Sequence, residues 1–261
     1  KIEDSGISII YASNYEQGES AFSYEIYLSA YEDDTGILDN YNLTITRGTL
    51  VVNKMKIDAT VDIDGQSFAY DGDNIYRGSV SGATATPSEK YGDDTIEFSY
   101  LYTDNASYSS TTAPINAGEY DVIVTLSESS AINYELSETI ATFTITRVNL
   151  NLTIKGAEIT YGDDDPTTNY NDATYLTFNE TELQGNDTID SIGLEFVYTS
   201  NYVQGDSVGE YKIYLGNYGE NDVVSANITN YTLQINAGTL TVNKKLITAT
   251  IDVDGKSFVF D

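Results

Sequence analysis

The block from Val52 to Phe68 returns from Val242 to Phe258, with Val-Asn-Lys at its head and Asp-Gly-x-Ser-Phe at its tail in both copies. The offset, 52 to 242, is 190 positions. A third, more diverged copy lies between them: Asn133-Tyr134-Glu135-Leu136 answers Asn40-Tyr41-Asn42-Leu43 and Asn230-Tyr231-Thr232-Leu233, in steps of 93 (Tyr41 to Tyr134) and 97 (Tyr134 to Tyr231). A period of about 95 residues is a small domain rather than a solenoid rung, so the chain is one domain said several times.

Each copy closes on a basic residue, Lys54, Arg147 or Lys244, which marks the boundary. Complete repeats then span 55–147 and 148–244, residues 1–54 are the C-terminal part of a repeat, and 245–261 are the N-terminal strands of a further one. The match of Tyr11-Ala12-Ser13-Asn14-Tyr15-Glu16-Gln17-Gly18 to Tyr198-Thr199-Ser200-Asn201-Tyr202-Val203-Gln204-Gly205 places residue 1 inside a repeat. Half-repeats have incomplete cores. Either the parent protein continues in both directions, which is the favoured expectation, or neighbouring chains complete them by donating strands.

Within a repeat, apolar residues alternate with polar ones, the period of a half-buried strand. Ile57, Ala59, Val61 and Ile63 correspond to Leu150, Leu152 and Ile154 and to Ile247, Ala249, Ile251 and Val253. Tyr120, Val122, Val124 and Leu126 correspond to Tyr211, Ile213 and Leu215 and to Tyr24, Ile26 and Leu28. Leu50 with Val52, Phe143 with Ile145, and Leu240 with Val242 mark the last strand. Asp64-Gly65, Lys155-Gly156 and Asp254-Gly255 share one position, read as a tight hairpin in which Gly supplies a positive φ. Pro87, Pro114 and Pro166 fall between strand candidates. The stretches 72–95 and 163–192 have room for a short helix. The expected fold is all-β, with about six or seven strands per repeat: a tandem antiparallel β-sandwich of immunoglobulin-like type, or a β-grasp-like domain. Ala117-Gly118-Glu119-Tyr120 looks like the approach to a tyrosine corner of immunoglobulin-like sandwiches, and sandwich and β-grasp remain rival topologies.

Charge narrows the partners. With 12 Lys+Arg against 41 Asp+Glu the formal net charge is -29, which repels nucleic-acid backbones and anionic lipid surfaces. Most of this acidity reads as solvated surface. The chain has no Cys, so disulfides and thiolate metal sites are excluded. No apolar run approaches the roughly 20 residues of a membrane helix, and no charged-then-apolar leader opens at Lys1, so an export signal and an anchor are expected outside this segment. Without His or Cys the commonest general base and the thiol nucleophile are missing. A carboxylate pair is the remaining route to catalysis, and none recurs in a way that singles it out; the expectation is a protein that is not an enzyme.

The segments Ile159-Thr160-Tyr161-Gly162-Asp163 followed by Pro166, then Val208-Gly209-Glu210-Tyr211, Asn230-Tyr231-Thr232-Leu233 and Gly238-Thr239-Leu240-Thr241-Val242-Asn243-Lys244 resemble MBG domains of the Tyr-Gly type. The resemblance extends over the chain as two full copies and two partial ones. The first full repeat departs from it, with Tyr70-Asp71-Gly72 in place of Tyr161-Gly162-Asp163 and no Pro following at the matching place. The resemblance implies an extracellular array in a bacterial surface protein, associated with adhesion and sometimes related to mucus-binding β-grasp modules.

Clustered carboxylates supply the hard oxygen ligands that calcium prefers. The candidates are Asp163, Asp164 and Asp165, then Asp93 and Asp94, and Asp71 with Asp73. Asp62-x-Asp64-Gly65 and Asp252-x-Asp254-Gly255 open like a calcium loop but lack its later ligands, and the equivalent positions Thr153 and Lys155 supply no carboxylate, so a turn is the better reading. Tyr24, Tyr120 and Tyr211 fall on the inward face, whereas Tyr15, Tyr108, Tyr202 and Tyr218 sit in loops and are the candidates for contact with a glycan, a protein or a neighbouring subunit. Lys54, Arg147 and Lys244 are expected to be cations that close a contact between repeats against acidic surface; Arg147 speaks against a shared isopeptide chemistry. Seven Asn-x-Ser/Thr sequons, at Asn42, Asn105, Asn151, Asn179, Asn186, Asn227 and Asn230, carry no claim of glycosylation in a chain so rich in Asn, Ser and Thr. The leading expectation is a structural stalk or fibre, followed by an adhesive module gaining avidity from repetition and by a self-assembling filament or surface-layer subunit.

Overall fold

The structure, a computed structural model, describes residues 6–73, 75–77, 80–251, 255, 257 and 259–260. In chain order the strands are β1 (Ile7–Ser13), β2 (Ser23–Asp33), β3 (Gly48–Val51), β4 (Met55–Ile57), β5 (Ala59–Val61), β6 (Gln66–Ala69), β7 (Ile75–Arg77), β8 (Val80–Ser81), β9 (Ala85–Pro87), β10 (Phe98–Thr103) and β11 (Ser109–Ser110). They continue as β12 (Gly118–Leu126), β13 (Tyr134–Leu136), β14 (Thr139–Thr146), β15 (Val148–Ile154), β16 (Ala157–Thr160), β17 (Leu176–Phe178), β18 (Tyr198–Ser200), β19 (Gly209–Leu215), β20 (Val223–Asn227), β21 (Tyr231–Asn236) and β22 (Gly238–Asn243). Helical structure among the described residues is limited to one-turn 3-10 helices, so the fold is all-β. Three of these turns, Pro166–Asn169, Ala173–Tyr175 and Glu180–Glu182, occupy the stretch where a short helix had room. Among the described residues no helix is long and apolar enough to cross a membrane.

Contacts divide the chain into two units. Unit 1 comprises Lys1–Gln66, Arg77–Pro114 and Glu119–Phe143; unit 2 comprises Ser67–Tyr76, Ile115–Gly118 and Thr144–Asp261.

In unit 2 two four-stranded sheets form, in the orders β17-β15-β21-β20 and β16-β22-β19-β18. The centre of the first is a parallel pair, β15 with β21, in register from Val148↔Tyr231 to Thr153↔Asn236. The second contains another, β16 with β22, from Ala157↔Leu240 to Thr160↔Asn243. Antiparallel neighbours flank both. The sheets are therefore mixed, which corrects the antiparallel expectation. Alternation reports which face of a strand is buried but not which strand lies beside it.

The chain crosses between these sheets at Lys155-Gly156 and again at Ala237. These are corners, where strands switch sheets by a bend, and not hairpins. A Cβ on Gly156 would stand 2.8 Å from the carbonyl oxygen of Thr239, and one on Gly238 2.8 Å from that of Lys155. Two backbones touch there, and only glycine permits it. At the equivalent place Gly65 has a φ of 68°, and its turn joins β5, paired with β9, to β6, in another sheet. The hairpin reading is thus corrected at both; Asp254 lies outside the described residues.

The strand faces read from alternation supply the core. Leu150 and Leu152 of β15, Leu233 of β21, Ile213 of β19 and Leu240 of β22 are fully buried in unit 2, and Ile57, Ile63, Val122, Val124 and Phe143 are buried in unit 1. Each large apolar side chain so buried stabilises by roughly 1.5–3 kcal/mol. Unit 1 holds the antiparallel sheet β1-β2-β3, the parallel pair β4 with β13, the pair β5 with β9, and strands of the sheet β11-β10-β12-β14-β6. Pro87 closes β9 opposite Ala59, in a two-stranded ladder and not between strands as expected. Pro114 is fully buried, and Pro166 opens a 3-10 turn capped by Asp165.

One expected strand is absent. Residues 245–251 adopt no strand, and Ile247 and Ile251 are exposed. In the two full repeats the corresponding segment pairs in parallel with the strand that opens at the tyrosine of the Asn-Tyr pair.

Candidate repeat junction

The most repeated bonding pattern is built on Asn133-Tyr134 and Asn230-Tyr231, at the points where one repeat meets the next. In unit 2 the side-chain oxygen of Asn230 accepts the backbone N–H of Ala117 (2.9 Å), and its backbone carbonyl accepts the N–H of Val148 (3.1 Å). Its amide nitrogen donates to Asn116 Oδ1 (3.1 Å). In unit 1 Asn133 does the same two things: its side chain accepts the N–H of Ala21 (2.9 Å) and its carbonyl that of Met55 (2.8 Å). One asparagine thereby holds the first residue of its own repeat and a loop of the repeat before it.

The neighbouring tyrosine completes the arrangement. Tyr231 is 1% exposed; its hydroxyl accepts the N–H of Gln184 (2.9 Å) and donates to Asp187 Oδ2 (2.7 Å). Tyr134 accepts the N–H of Tyr91 (3.0 Å) and donates to Asp94 Oδ2 (2.6 Å). Gly92-Asp93-Asp94-Thr95-Ile96 and Gly185-Asn186-Asp187-Thr188-Ile189 are corresponding loops, so donor and acceptor recur together. In unit 2 Tyr70 joins them, donating to the same Asp187 oxygen (2.8 Å) with its ring edge-on to Tyr231 at 5.8 Å. Burial and the Asp187 carboxylate push the Tyr70 hydroxyl up to about 12, and the same causes raise Tyr231. Burial, with Asp94, raises Tyr134. These hydroxyls are fixed donors at neutral pH.

Close backbone approach accompanies the bonds in unit 2. Gly72 and Gly185 face one another, and a Cβ on Gly72 would stand 2.7 Å from the Gly185 Cα. Both have positive φ, 81° and 57°. This accounts for the departure of Tyr70-Asp71-Gly72 from Tyr161-Gly162-Asp163: the left-handed residue moves one place along, to Gly72, where it meets Gly185. At the other position Gly162 has φ 93° and open space around it, and Asp163 closes the turn by accepting the Thr160 N–H.

The candidate residues fall as follows. Lys54 donates to the carbonyl of Ala131 and Arg147 Nε to that of Ile228 (3.0 Å), each carbonyl two residues before the junction asparagine. Both cations close a contact between repeats, on backbone carbonyls where acidic surface was expected. Lys244 is exposed at the same position. Asp94 is a tyrosine acceptor. Asp93 and Asp164 are exposed; Asp165 caps a 3-10 turn through the Thr167 N–H (2.9 Å) and accepts from Ser200 Oγ (2.6 Å). Asp71 accepts the Asp73 N–H (3.0 Å). Asp62 and Asp64 accept the N–H groups of Thr84 and Thr142, both 2.9 Å, and Asp252 lies outside the described residues. Among the described residues no three Asp or Glu side chains come together in a way that could hold a metal ion. Of the calcium candidates, Asp163, Asp165 and Asp71 accept N–H groups of their own turns.

Of the loop tyrosines, Tyr15, Tyr108 and Tyr202 stand edge-on to the strand tyrosines Tyr24, Tyr120 and Tyr211 at 5.0, 5.7 and 5.2 Å. Tyr202 is buried and donates to the Asp163 carbonyl (2.9 Å), Tyr108 donates to that of Thr112 (2.5 Å), and Tyr218 accepts the Glu195 N–H (3.1 Å). All four make internal bonds or ring contacts; Tyr202 is buried, and Tyr15, Tyr108 and Tyr218 are half-buried. Tyr24 and Tyr211 each donate to the carbonyl four residues before, Ser20 and Ser207 (2.6 and 2.8 Å), the bond expected of a tyrosine corner. In the sequence Asn-Tyr marks the period and the family resemblance but not its bonding partners, Asp187 and Gln184. The recurrence of the Gly-x-Asp-Thr-Ile loop was the signal available.

Residues 150–241 match the family model of the MBG domain (YGX type). The match begins in β15, ends in β22 and takes in the Asn230-Tyr231 pair and the Tyr161-Gly162-Asp163 turn. No curated protein matches the chain.

Proposed function

With residues 150–241 as an MBG domain of the YGX type, we propose that this chain is a structural repeat segment of a secreted bacterial surface protein, a stalk or fibre rather than an enzyme. The observation that carries this reading is the duplicated junction. The same asparagine, tyrosine, carboxylate and boundary cation act at Asn133 and at Asn230; the asparagine and the cation bond across the repeat boundary, and the tyrosine–carboxylate bond fixes the adjoining loop within the repeat. A load-bearing segment needs coupling between consecutive domains, and chemistry repeated at each boundary serves that need. Three of the clustered carboxylates serve structural bonds: Asp94 and Asp187 with tyrosine, Asp165 with its turn and Ser200. The net charge of -29 keeps such segments soluble and apart at high surface density.

A glycan and matrix-protein array probed with the whole chain tests the proposal. A spacer leaves the array blank. Saturable binding to a glycan or matrix protein would replace the stalk reading with an adhesive one.

A further inference from the structure

The two full repeats differ in length between the strand tyrosine and the Asn-Tyr pair. Asn230 follows Tyr211 by 19 positions, and Asn133 follows Tyr120 by 13. In unit 2 the longer stretch makes β20, which pairs antiparallel with β21. Ala226 stands opposite Leu233 and Val224 opposite Ile235, and the Ile228 N–H reaches the Tyr231 carbonyl (3.0 Å). In unit 1 Ala131, the counterpart of Ile228, gives its N–H to the Ser127 carbonyl (2.9 Å), and the chain closes in the 3-10 turn Ser130–Ile132. Among the described residues β13 has one strand neighbour, β4. On that side Met55 donates to the Asn133 carbonyl (2.8 Å) and the Ser137 N–H to the Ile57 carbonyl (3.0 Å). The peptide groups of Tyr134 and Leu136 alternate with these and point to the other edge, the one β20 covers in unit 2. Beside that edge lies an apolar groove of about 340 Å³, lined by Val124, Leu126, Ala131, Leu136 and Glu138. All its lining falls between Ile123 and Thr139, inside one complete repeat and inside unit 1. Leu136 is half-buried there, whereas its counterpart Leu233, beside β20, is 0% exposed.

We propose that this edge takes an extended segment of a partner protein, added antiparallel to β13 in the place that β20 fills in the other repeat. The register of β20 says what the segment carries. Its residue opposite Leu136, in the place of Ala226, faces the groove and is apolar. Its residue opposite Glu138, in the place of Val224, is Lys or Arg, because the exposed Glu138 stands where the other repeat has the buried Ile235. Its residue opposite Glu135, in the place of Asn227, is a second cation. The Glu135 side chain is 60% exposed, with Lys56 Nζ 4.0 Å away in a surface pair of small worth. The pattern is a cation, any residue, an apolar residue and a cation. No two of the 12 Lys and Arg of this chain stand three positions apart, and its net charge is -29, so a second copy does not supply it. Backbone pairing gives such a contact its affinity, and the groove with its two carboxylates gives the choice of sequence. This goes beyond the stalk reading, which concerns how repeats are joined and not what docks on one of them.

The test is a fluorescence-anisotropy titration of the whole chain at about 0.15 M salt, where long-range attraction is screened. The probe is an N-terminally labelled Val-Lys-Ser-Val-Lys-Ile amide, which is β20 from Val223 to Ile228 with the two cations in place and a larger residue over the groove. Saturable binding with a Kd below about 1 mM is expected, and a scrambled peptide should bind at least about tenfold more weakly. N-methylation of the second Val removes the N–H that meets the Leu136 carbonyl and leaves the protein untouched; it should weaken binding at least about fivefold. Glu138→Lys, at an exposed position, should weaken binding about threefold or more, and a peptide with Glu in place of its first Lys should recover that loss. No saturation up to about 1 mM peptide would overturn the proposal. So would equal binding of the scrambled peptide, which reports net charge alone, or binding indifferent to N-methylation and to Glu138→Lys. A chain that dimerises in sedimentation velocity and leaves the peptide unbound would assign the edge to a second copy and overturn it too. Array binding that persists in Glu138→Lys lies on another surface, so the stalk reading is judged separately.

Discussion

Replacing Asn230 by alanine removes the acceptor of the Ala117 N–H and the donor to Asn116 in one step. A part-buried N–H left without a partner costs about 1–3 kcal/mol, so Asn230→Ala and Asn133→Ala should each lower stability by that order in urea unfolding. Asn40→Ala, at an exposed counterpart, should change the monomer by less than about 0.5 kcal/mol. Gly185→Ala makes a sharper test of the close approach. It places a side chain at φ 57°, about 1–2 kcal/mol unfavourable, and a Cβ 3.0 Å from the Gly72 Cα, so thermal unfolding should move down by several degrees. Gly162→Ala shares the backbone penalty but meets open space and should cost less. The junction was half legible in the sequence. Asn-Tyr and the boundary cation recur visibly, but their partners are mostly backbone groups of Ala21, Ala117, Ala131 and Ile228, which any residue could supply. Pattern reading finds side chains and is blind to such partners. It offered Asp163 and Asp165 as metal candidates, because a run of Asp looks the same whether its oxygens take a cation or, as with the Thr160 and Thr167 N–H groups here, close a turn.

At the scale of elements, the corner at Gly156 makes the clearest prediction. Gly156→Ala drives a Cβ to within 2.8 Å of the Thr239 carbonyl oxygen, so the crossing between the two sheets of unit 2 must open. Loss of about 1–3 kcal/mol is expected, as for other overpacked sites, seen as a lower urea midpoint with little change in slope. The faces of β12, β15, β19 and β22 were readable because a strand with one buried side alternates, and Val122, Leu150, Ile213 and Leu240 are the inward residues alternation selects. Pairing was not. Nothing in Leu150-x-Leu152 says that its neighbour is a parallel strand beginning at Tyr231. Ile247-x-Ala249-x-Ile251 alternates in the same way, yet residues 245–251 adopt no strand.

Over the whole molecule, ionisation of the junction tyrosines sets the alkaline limit. A hydroxyl whose value is raised when folded holds its proton more firmly than in the unfolded chain, where it titrates near about 10. For Tyr70, raised to about 12 by burial and by Asp187, its contribution to stability is intact below pH about 10 and lost as pH rises toward about 12. Tyr231 acts in the same direction. Urea midpoints measured across that range should fall, and Tyr70→Phe should flatten the fall while leaving a lower plateau at neutral pH. A chain of net charge -29 also repels itself, so its melting temperature should rise from low salt to about 0.15 M, where the screening length is about 8 Å. Both effects bear on a protein whose repeats are joined by a duplicated set of bonds. Backbone amide exchange followed by NMR tests that account most directly, at Ala21 and Ala117, whose N–H groups end on Asn133 and Asn230. Slow exchange at both is predicted, with Asn133→Ala freeing only Ala21, Asn230→Ala only Ala117, and Val122 and Ile213 in the cores unchanged. Exchange of Ala21 and Ala117 at the rate of an unprotected chain in the wild-type protein would contradict it.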